Sequence, residues 1–250
     1  MGEITTKERE RLHRVEILLG EEKLRRVSNA KVIIFGVGGV GGWCAESLVR
    51  SGIRHLTIVD KDTVCITNSN RQIVATNSTI GQAKVDVLRK RLLDINPDAD
   101  ITALHKEYNS ETAEEFHIED YDYVIDAIDS LKDKIHLVCH ATNIGSNTDG
   151  NEEYAEGNTP TLFSSMGAAR RFDPFAVKCA EFWKVRNDAL GAMMRKRMRQ
   201  RNQMPGKKFM CVYSDELPQK SNGEENGTLA HVVAMFGFAL SGLVINDITK

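Results

Sequence analysis

The chain is poor in several features that would assign it elsewhere. Its five cysteines, at positions 44, 65, 139, 179 and 211 of 250 residues, never stand as a C-x-x-C pair. That spacing excludes a Cys-pair zinc site and a redox dithiol. No zinc is expected, and isolated thiols fit a reducing compartment. Five prolines, 6% aromatics and no compositional repeat exclude collagen-like and low-complexity chains. G-x-x-x-x-G-K-[ST] is missing, which excludes a P-loop as the source of phosphate contacts. The stretch from Leu229 to Ile245 is apolar but carries His231 and ends in Asn246 and Asp247, short of the roughly 18 to 20 apolar residues of a membrane span. It reads as a buried or interface helix. Met1 to Arg14 has charges every few positions and no apolar core, so neither a signal nor a transit peptide is written there, and a cytoplasmic protein is expected.

What remains is globular composition, 41% hydrophobic and 27% charged. The alternation of segments predicts an α/β fold with a doubly wound, mainly parallel, Rossmann-like sheet, built as one elaborated domain over 1–250. N-terminal helices occupy 1–30, broken near Gly20, with Ile17, Leu18, Leu24 and Val27 as their buried side. The core occupies 31–145. Lys31 to Phe35 is a β-branched run suited to a strand covered on both faces, and it leads into Gly36-Val-Gly-Gly-Val-Gly-Gly42. A helix over 43–51 and a strand over 55–59 complete one βαβ unit. Further strands are predicted near 101–104 and 121–125, and helices over 83–95 and 131–143. The polar stretch 146–160 reads as a loop or disordered insertion. Over 161–250 the pattern changes to a mixed β/α extension: strands at 161–163, 176–185 and 208–213, a Met- and Arg-rich helix, and a closing helix over 228–248.

A strand, a glycine-rich turn and a helix point backbone N–H groups at an anion. Gly36, Gly38 and Gly41 fit G-x-G-x-x-G, Gly39 is an additional glycine, and Asp60 at the tip of the second strand suits ribose hydroxyls. The residues after Asp60 distinguish a nucleoside triphosphate from a nicotinamide. Asp62, Arg71, Lys84 and Asp129 supply cations and carboxylates around a phosphate position where hydride transfer would want an apolar pocket. Arg71 and Lys84 suit β- and γ-phosphate oxygens and departing pyrophosphate. Asp129, past a strand end, suits Mg²⁺ held by one carboxylate.

GVGGVGG, Asp60-Lys-Asp62, TNSNRQ at 67–72, GQAK at 81–84 and DAIDS at 126–130 together resemble the ATP-binding motifs of the ubiquitin-activating superfamily, which includes the adenylyltransferases of thiamine and molybdopterin synthesis. The resemblance implies MgATP-dependent adenylation of a carboxylate, with Asp60 at the ribose, Asn68, Arg71 and Lys84 at the triphosphate and Asp129 at magnesium. It also implies a homodimer in which Arg14 reaches the neighbouring subunit's phosphates; a solvated helix arginine is the plainer alternative.

Ser164 to Ala169, Arg171-Phe-Asp-Pro174, Cys211 to Ser214, Gly227 to His231 and Phe236-Gly-Phe238 extend the resemblance to the tRNA threonylcarbamoyladenosine dehydratases. Two departures are the insertion at 145–160 and Ser130 where Asn is common. The branch implies adenylation of the threonylcarbamoyl carboxylate on tRNA and closure of an oxazolone ring by an internal oxygen, without an enzyme thioester. The alternative is activation of a ubiquitin-like sulfur carrier, with a sulfur-transfer protein as partner. A thioester would demand that Cys44, Cys139, Cys179 or Cys211 be exposed with a depressed pKa; as small apolar residues the first two and the last are expected to be buried. His231 suits either a substrate-side acid or base or a helix-terminal histidine satisfied by hydrogen bonds.

The net charge of −2 gives no global basic field. Yet the segment 184–208 holds nine Lys or Arg against one acid, leaving 24 basic and 34 acidic residues elsewhere. Within it Arg195, Lys196, Arg197, Arg199 and Arg201 are the candidate tRNA phosphate contacts, against a merely solvated helix face. Trp183 and Phe209 flank them, as core residues or as stacking surfaces for a base.

Overall fold

The computed structural model describes residues 5–144, 159–220 and 225–250. Three short helices, α1 (Thr6–Arg11), α2 (His13–Leu19) and α3 (Glu21–Asn29), lead into β1 (Lys31–Phe35), α4 (Gly39–Arg50) and β2 (His55–Val59). Then come α5 (Lys84–Ile95), β3 (Asp100–Leu104), β4 (Tyr123–Asp126), α6 (Leu131–Asn143) and β5 (Thr161–Ser165). The remainder is β6 (Val177–Glu181), α7 (Ala189–Arg201), β7 (Met210–Ser214) and α8 (Ala230–Ile248). The strands form one sheet in the order β3-β2-β1-β4-β5-β7-β6. All pairs are parallel except β6 with β7, which is antiparallel.

β1 is central and buried on both faces, and its alternation divides the core. Val32 and Ile34 join the cluster beneath α4, α5 and α8; Ile33 and Phe35 join the one beneath α6 and α7. The chain order reverses at β1, with β2 on one side and β4 on the other, which opens a crevice at the carboxyl ends of the strands. α8 is long and apolar enough to cross a membrane by length and composition. It lies across α4, with Val232, Val233, Phe236, Leu240 and Val244 buried.

Several expectations are corrected. Of the N-terminal residues expected to be buried, Leu24 and Val27 are, whereas Ile17 and Leu18 are 71% and 83% exposed and Leu12 is buried in addition. α2 is capped by Leu12 without a side-chain hydrogen bond; Leu19 packs against the core, and Leu12 lies with Leu24 and Val27 against Gly52. The helix after the glycine-rich turn starts at Gly39 rather than Trp43, so half of the motif is helix. The sixth strand ends at Glu181 and passes into a 3-10 turn over Phe182–Lys184, where Phe182 packs into the core. The loop expected at 146–160 lies, except for 159 and 160, outside the described residues.

The glycine turn is fixed by steric necessity. Gly36 has φ of +87°, and a Cβ there would meet Ala127 O at 2.7 Å. A Cβ on Gly41 would meet Gly36 O at 1.8 Å, closer than any side chain allows. Backbone atoms cannot yield as a flexible side chain would, so Gly41→Ala is expected to lose about 3 kcal/mol. Gly242→Ala, in open space on α8, should instead gain about 0.5 to 1 kcal/mol by removing a mid-helix glycine. Urea denaturation of both variants measures the contrast.

Candidate active site

A cavity of about 700 Å³ occupies the crevice. Gly36, Gly38 and Gly39 form its floor, with Asp60 and Asp62 after β2, Arg71, Lys84 at the head of α5, and Asp129 after β4. The opposite wall is the loop after β5, Ser165 to Arg171, with Asp188 to Leu190 and Met193 at the start of α7. Both polar and apolar surface lines it, as a nucleotide with one flat ring and several phosphates requires.

The carboxylates divide by occupation. Asp60 braces the turn, its Oδ2 accepting from Val37 N–H at 2.8 Å and its Oδ1 from Asp62 N–H at 2.9 Å. Asp62 accepts from Lys84 Nζ at 2.7 Å; the lysine side chain is 6% exposed and the aspartate 53%. Arg71 Nη1 donates to Thr67 O at 3.0 Å and Asn70 Oδ1 at 2.8 Å, and Trp43 Nε1 holds the Arg71 carbonyl at 3.2 Å. The Asp129 side chain is exposed toward the cavity and, among the described residues, has no protein hydrogen bond or ion pair.

The loop carrying Asp129 hangs on a buried pair that sequence reasoning missed. Asp126 and Lys134, both with fully buried side chains, meet at 2.8 Å. Asp126 also accepts from Ser164 Oγ at 2.6 Å and Ile128 N–H at 3.1 Å, while Lys134 donates to Ile128 O at 3.0 Å. Every strong polar group of the pair is thereby matched, the condition under which a buried ion pair is tolerated. The available signal was Asp126 itself, the first acid of DAIDS, which follows three buried strand positions.

Not every anticipated residue reaches the cavity. Gly41 sits beneath the turn. Asn68 caps a 3-10 turn, its Oδ1 accepting from Cys65 N–H at 3.1 Å. Arg14 is exposed on α2, outside the cavity lining. Of the basic residues on α7, Lys196, Arg197, Arg199 and Arg201 are exposed, with Arg199 lying over the Trp183 ring at 5.4 Å. Arg195 turns inward: its Nη1 donates to Phe182 O at 3.1 Å and it covers the Phe182 ring at 5.6 Å. Phe209 is buried and stacks on Phe182, and Trp183 meets the same ring edge-on, so these aromatics serve the core. His231 Nε2 is 3.0 Å from Phe172 O, a helix-terminal histidine with a partner.

Other lining residues were not anticipated. Tyr108 borders the cavity, packing edge-on against Phe35 and at a tilt against Phe116. Its hydroxyl lies 3.0 Å from His136 Nδ1 and 3.1 Å from His140 Nδ1, so it donates to one imidazole and can accept from the other. Burial lowers both histidine pKa values and raises that of the phenol, favouring this neutral network. Burial likewise pushes up the thiols of Cys44, Cys139, Cys179 and Cys211, that of Cys139 to about 11. The depressed, exposed thiol is Cys65, whose charge is favoured by the Thr67 hydroxyl; a hydroxyl two residues on was the only sequence hint.

Removing one partner of the buried pair leaves the other uncompensated. Lys134→Met is therefore expected to cost about 3 to 5 kcal/mol in urea unfolding. Adding Asp126→Asn should recover part of that loss, and no recovery would show that the two groups act independently.

Known proteins share this fold and, in part, this sequence. The model of the ThiF family matches residues 10–250. The tRNA threonylcarbamoyladenosine dehydratase of Bacillus subtilis is 36% identical over 254 residues, covering 95% of this chain and 94% of the relative. The Escherichia coli tRNA N6-threonylcarbamoyladenosine dehydratase solved with AMP superposes with a TM-score of 0.88 at 29% identity, covering 99% of this chain and 97% of that chain. The same enzyme solved with ATP gives 0.87 at 30% identity and equal coverage. A sulfur carrier protein adenylyltransferase of Thermus thermophilus is 31% identical over 175 residues, 67% of this chain and 64% of the relative.

Proposed function

The chain belongs to the ThiF family, and from that premise we propose that it is an ATP-dependent dehydratase of N6-threonylcarbamoyladenosine in tRNA. The observation that carries the reading is the continuity of one cavity between two walls. One wall bears the glycine turn, Arg71, Lys84 and Asp129; the other is built from the segments on which the likeness to dehydratases extends beyond the ATP-binding half. The sulfur-carrier reading draws on a likeness confined to about two thirds of the chain.

In this reading ATP lies over the glycine turn, where N–H groups at the start of α4 face its phosphates. Asp60 presents a braced carboxylate to the ribose. Lys84 and Arg71 exchange their present partners, Asp62 and the Thr67 to Asn70 segment, for phosphate oxygens. The threonylcarbamoyl carboxylate attacks the α-phosphorus and pyrophosphate departs, its developing charge met by these two cations. The internal oxygen of the same group then attacks the activated carbonyl. AMP leaves with one former carboxylate oxygen, the ring closes as an oxazolone, and the nitrogen proton is released, so the nucleoside loses one water in sum. Asp129 is the group suited to Mg²⁺, since its carboxylate faces the cavity without a protein partner among the described residues; a bound ion would neutralise phosphate charge. Among the described residues no cluster of three or more His, Cys, Asp or Glu is arranged to hold a metal.

The exposed cations of α7, Lys196, Arg197, Arg199 and Arg201, are assigned to tRNA phosphates, and Arg195 to packing. α7 starts at the cavity wall, which brings a basic helix to the same substrate. A homodimer with Arg14 acting on the partner's phosphates accounts for an exposed arginine remote from its own cavity.

Incubation with MgATP and tRNA from cells lacking the activity should remove one water from the modified nucleoside and release AMP, read by mass spectrometry. A sulfur-carrier adenylate formed in its place would overturn the reading. Asp129→Asn is expected to slow pyrophosphate release by about a hundredfold or more without lowering stability. Arg197→Ala and Arg199→Ala should each reduce the slope of log affinity against log salt by about 1, whereas Arg195→Ala should chiefly reduce stability.

A further inference from the structure

Beside the cavity the molecule presents two phenylalanines to solvent on a turn that is otherwise tightly tied. Phe172 is 61% exposed, Phe175 is 90% exposed, and Leu217 next to them is 69% exposed. Scattered apolar exposure is ordinary, but a cluster on a fixed backbone is not.

The backbone of this turn is held from three sides. The Glu216 carboxylate accepts from Phe172 N–H and Asp173 N–H, each at 3.0 Å. Asp173 caps the following turn by accepting from Phe175 N–H at 2.8 Å, with Pro174 at its first position. His231 Nε2 approaches Phe172 O from the head of α8 at 3.0 Å, and Asp215 N–H donates to Ala176 O at 2.9 Å. Preceding the turn, the buried Arg171 guanidinium donates to Gly167 O, Asn187 O and Asp188, and closely to Glu216 O. The two rings are therefore displayed on a rigid support, which lowers the ordering penalty of a contact.

The turn is continuous with the cavity. Arg170 and Arg171, immediately before Phe172, and Pro218, immediately after Leu217, belong to the cavity lining. Arg170 holds φ of +60°, uncommon for arginine, and its backbone is pinned by hydrogen bonds with Gly227 and Gln219. Lys178 and Arg186 converge on Asp215 at 2.7 and 2.8 Å, and the carboxylates of Asp173 and Glu216 are turned to backbone N–H groups, so cations and carboxylates are near balance. Arg170, in the cavity lining next to Phe172, has no ion-pair partner among the described residues.

We propose that Phe172 and Phe175 form a stacking platform for unpaired tRNA bases next to the nucleoside whose carboxylate enters the cavity. The inference rests on the dehydratase reading and extends it to how the substrate loop is held. Single-stranded RNA loops are recognised by aromatic rings that accept unstacked bases, with nearby cations taking phosphates. Exposed aromatics beside the cavity, with the unpaired Arg170 of its lining immediately before Phe172, meet both requirements.

The test compares wild type with the Phe172→Leu/Phe175→Ala double variant, neither position being part of the ATP-binding groups. The variant is expected to raise KM for modified tRNA about tenfold, with kcat and the KM for ATP within twofold. The slope of log affinity against log salt should be unchanged, because stacking releases no counterions. Phe175→Trp should retain tRNA affinity, and its emission should be quenched by tRNA beyond any change from Trp43 and Trp183. An unchanged KM in the double variant, with wild type active, would overturn the platform alone. So would a change in sedimentation without a change in tRNA affinity, which would identify the patch as a contact between copies. Wild type that does not dehydrate tRNA would overturn the dehydratase reading and this inference together.

Discussion

Three backbone segments meet at van der Waals contact where β1 ends: the turn at Gly36, the first helical turn at Gly41, and the start of the loop after β4 at Ala127. No side chain fits between them. This closure sets the angle at which α4 leaves the sheet, and with it the direction of the N–H groups that face the cavity. It also fixes the distance between the glycine turn and the loop bearing Asp129. The two halves of the phosphate site, although nearly a hundred residues apart in sequence, are thus one object. Asp60 fastens the near half through Val37 and Asp62, and the Asp126 and Lys134 pair fastens the far half.

The acidic residues of the motifs perform two different kinds of work. Asp60, Asp126 and Asp188 are bound by backbone N–H groups or buried cations; Asp188 caps α7 through Gly191 N–H at 2.8 Å while accepting from Gly167 N–H at 3.0 Å. Their charge is consumed in holding loops. Asp129 alone among these four is left without a protein partner in the described residues. Electrostatic preorganisation arises from that division, because the restrained carboxylates keep the loops still while the unrestrained one can bind.

The order of elements was legible because it depends on local patterns: the β-branched run of β1, the glycine turn, and the strands ending in Asp60 and Asp126. So was the gathering of Arg71, Lys84 and Asp129 at one cavity; Lys84 heads α5 and Asp129 follows β4. What escaped depends on which side chains meet in space, which neither residue type nor spacing reveals. Lys134 looks like any helix lysine until Asp126 is placed beneath it. Ile17 and Leu18 read as part of a buried face, yet they are exposed while Leu12 is buried. Arg195 belongs to a basic run by sequence and to the Phe182 ring by packing. Asn68 matches a nucleotide motif, yet its carboxamide closes a local turn on Cys65. Cys65 itself is distinguished only by exposure and by the Thr67 hydroxyl.

β6 is the one strand that runs against the others. In a wholly parallel sheet every strand contributes only its trailing loop to the ligand-bearing end, while its leading loop emerges on the far side. Reversal of β6 brings its leading segment, residues 171–176, to the same end as the segments trailing β5 and β7. A single change of polarity at the sheet's border therefore supplies an additional wall without an additional strand.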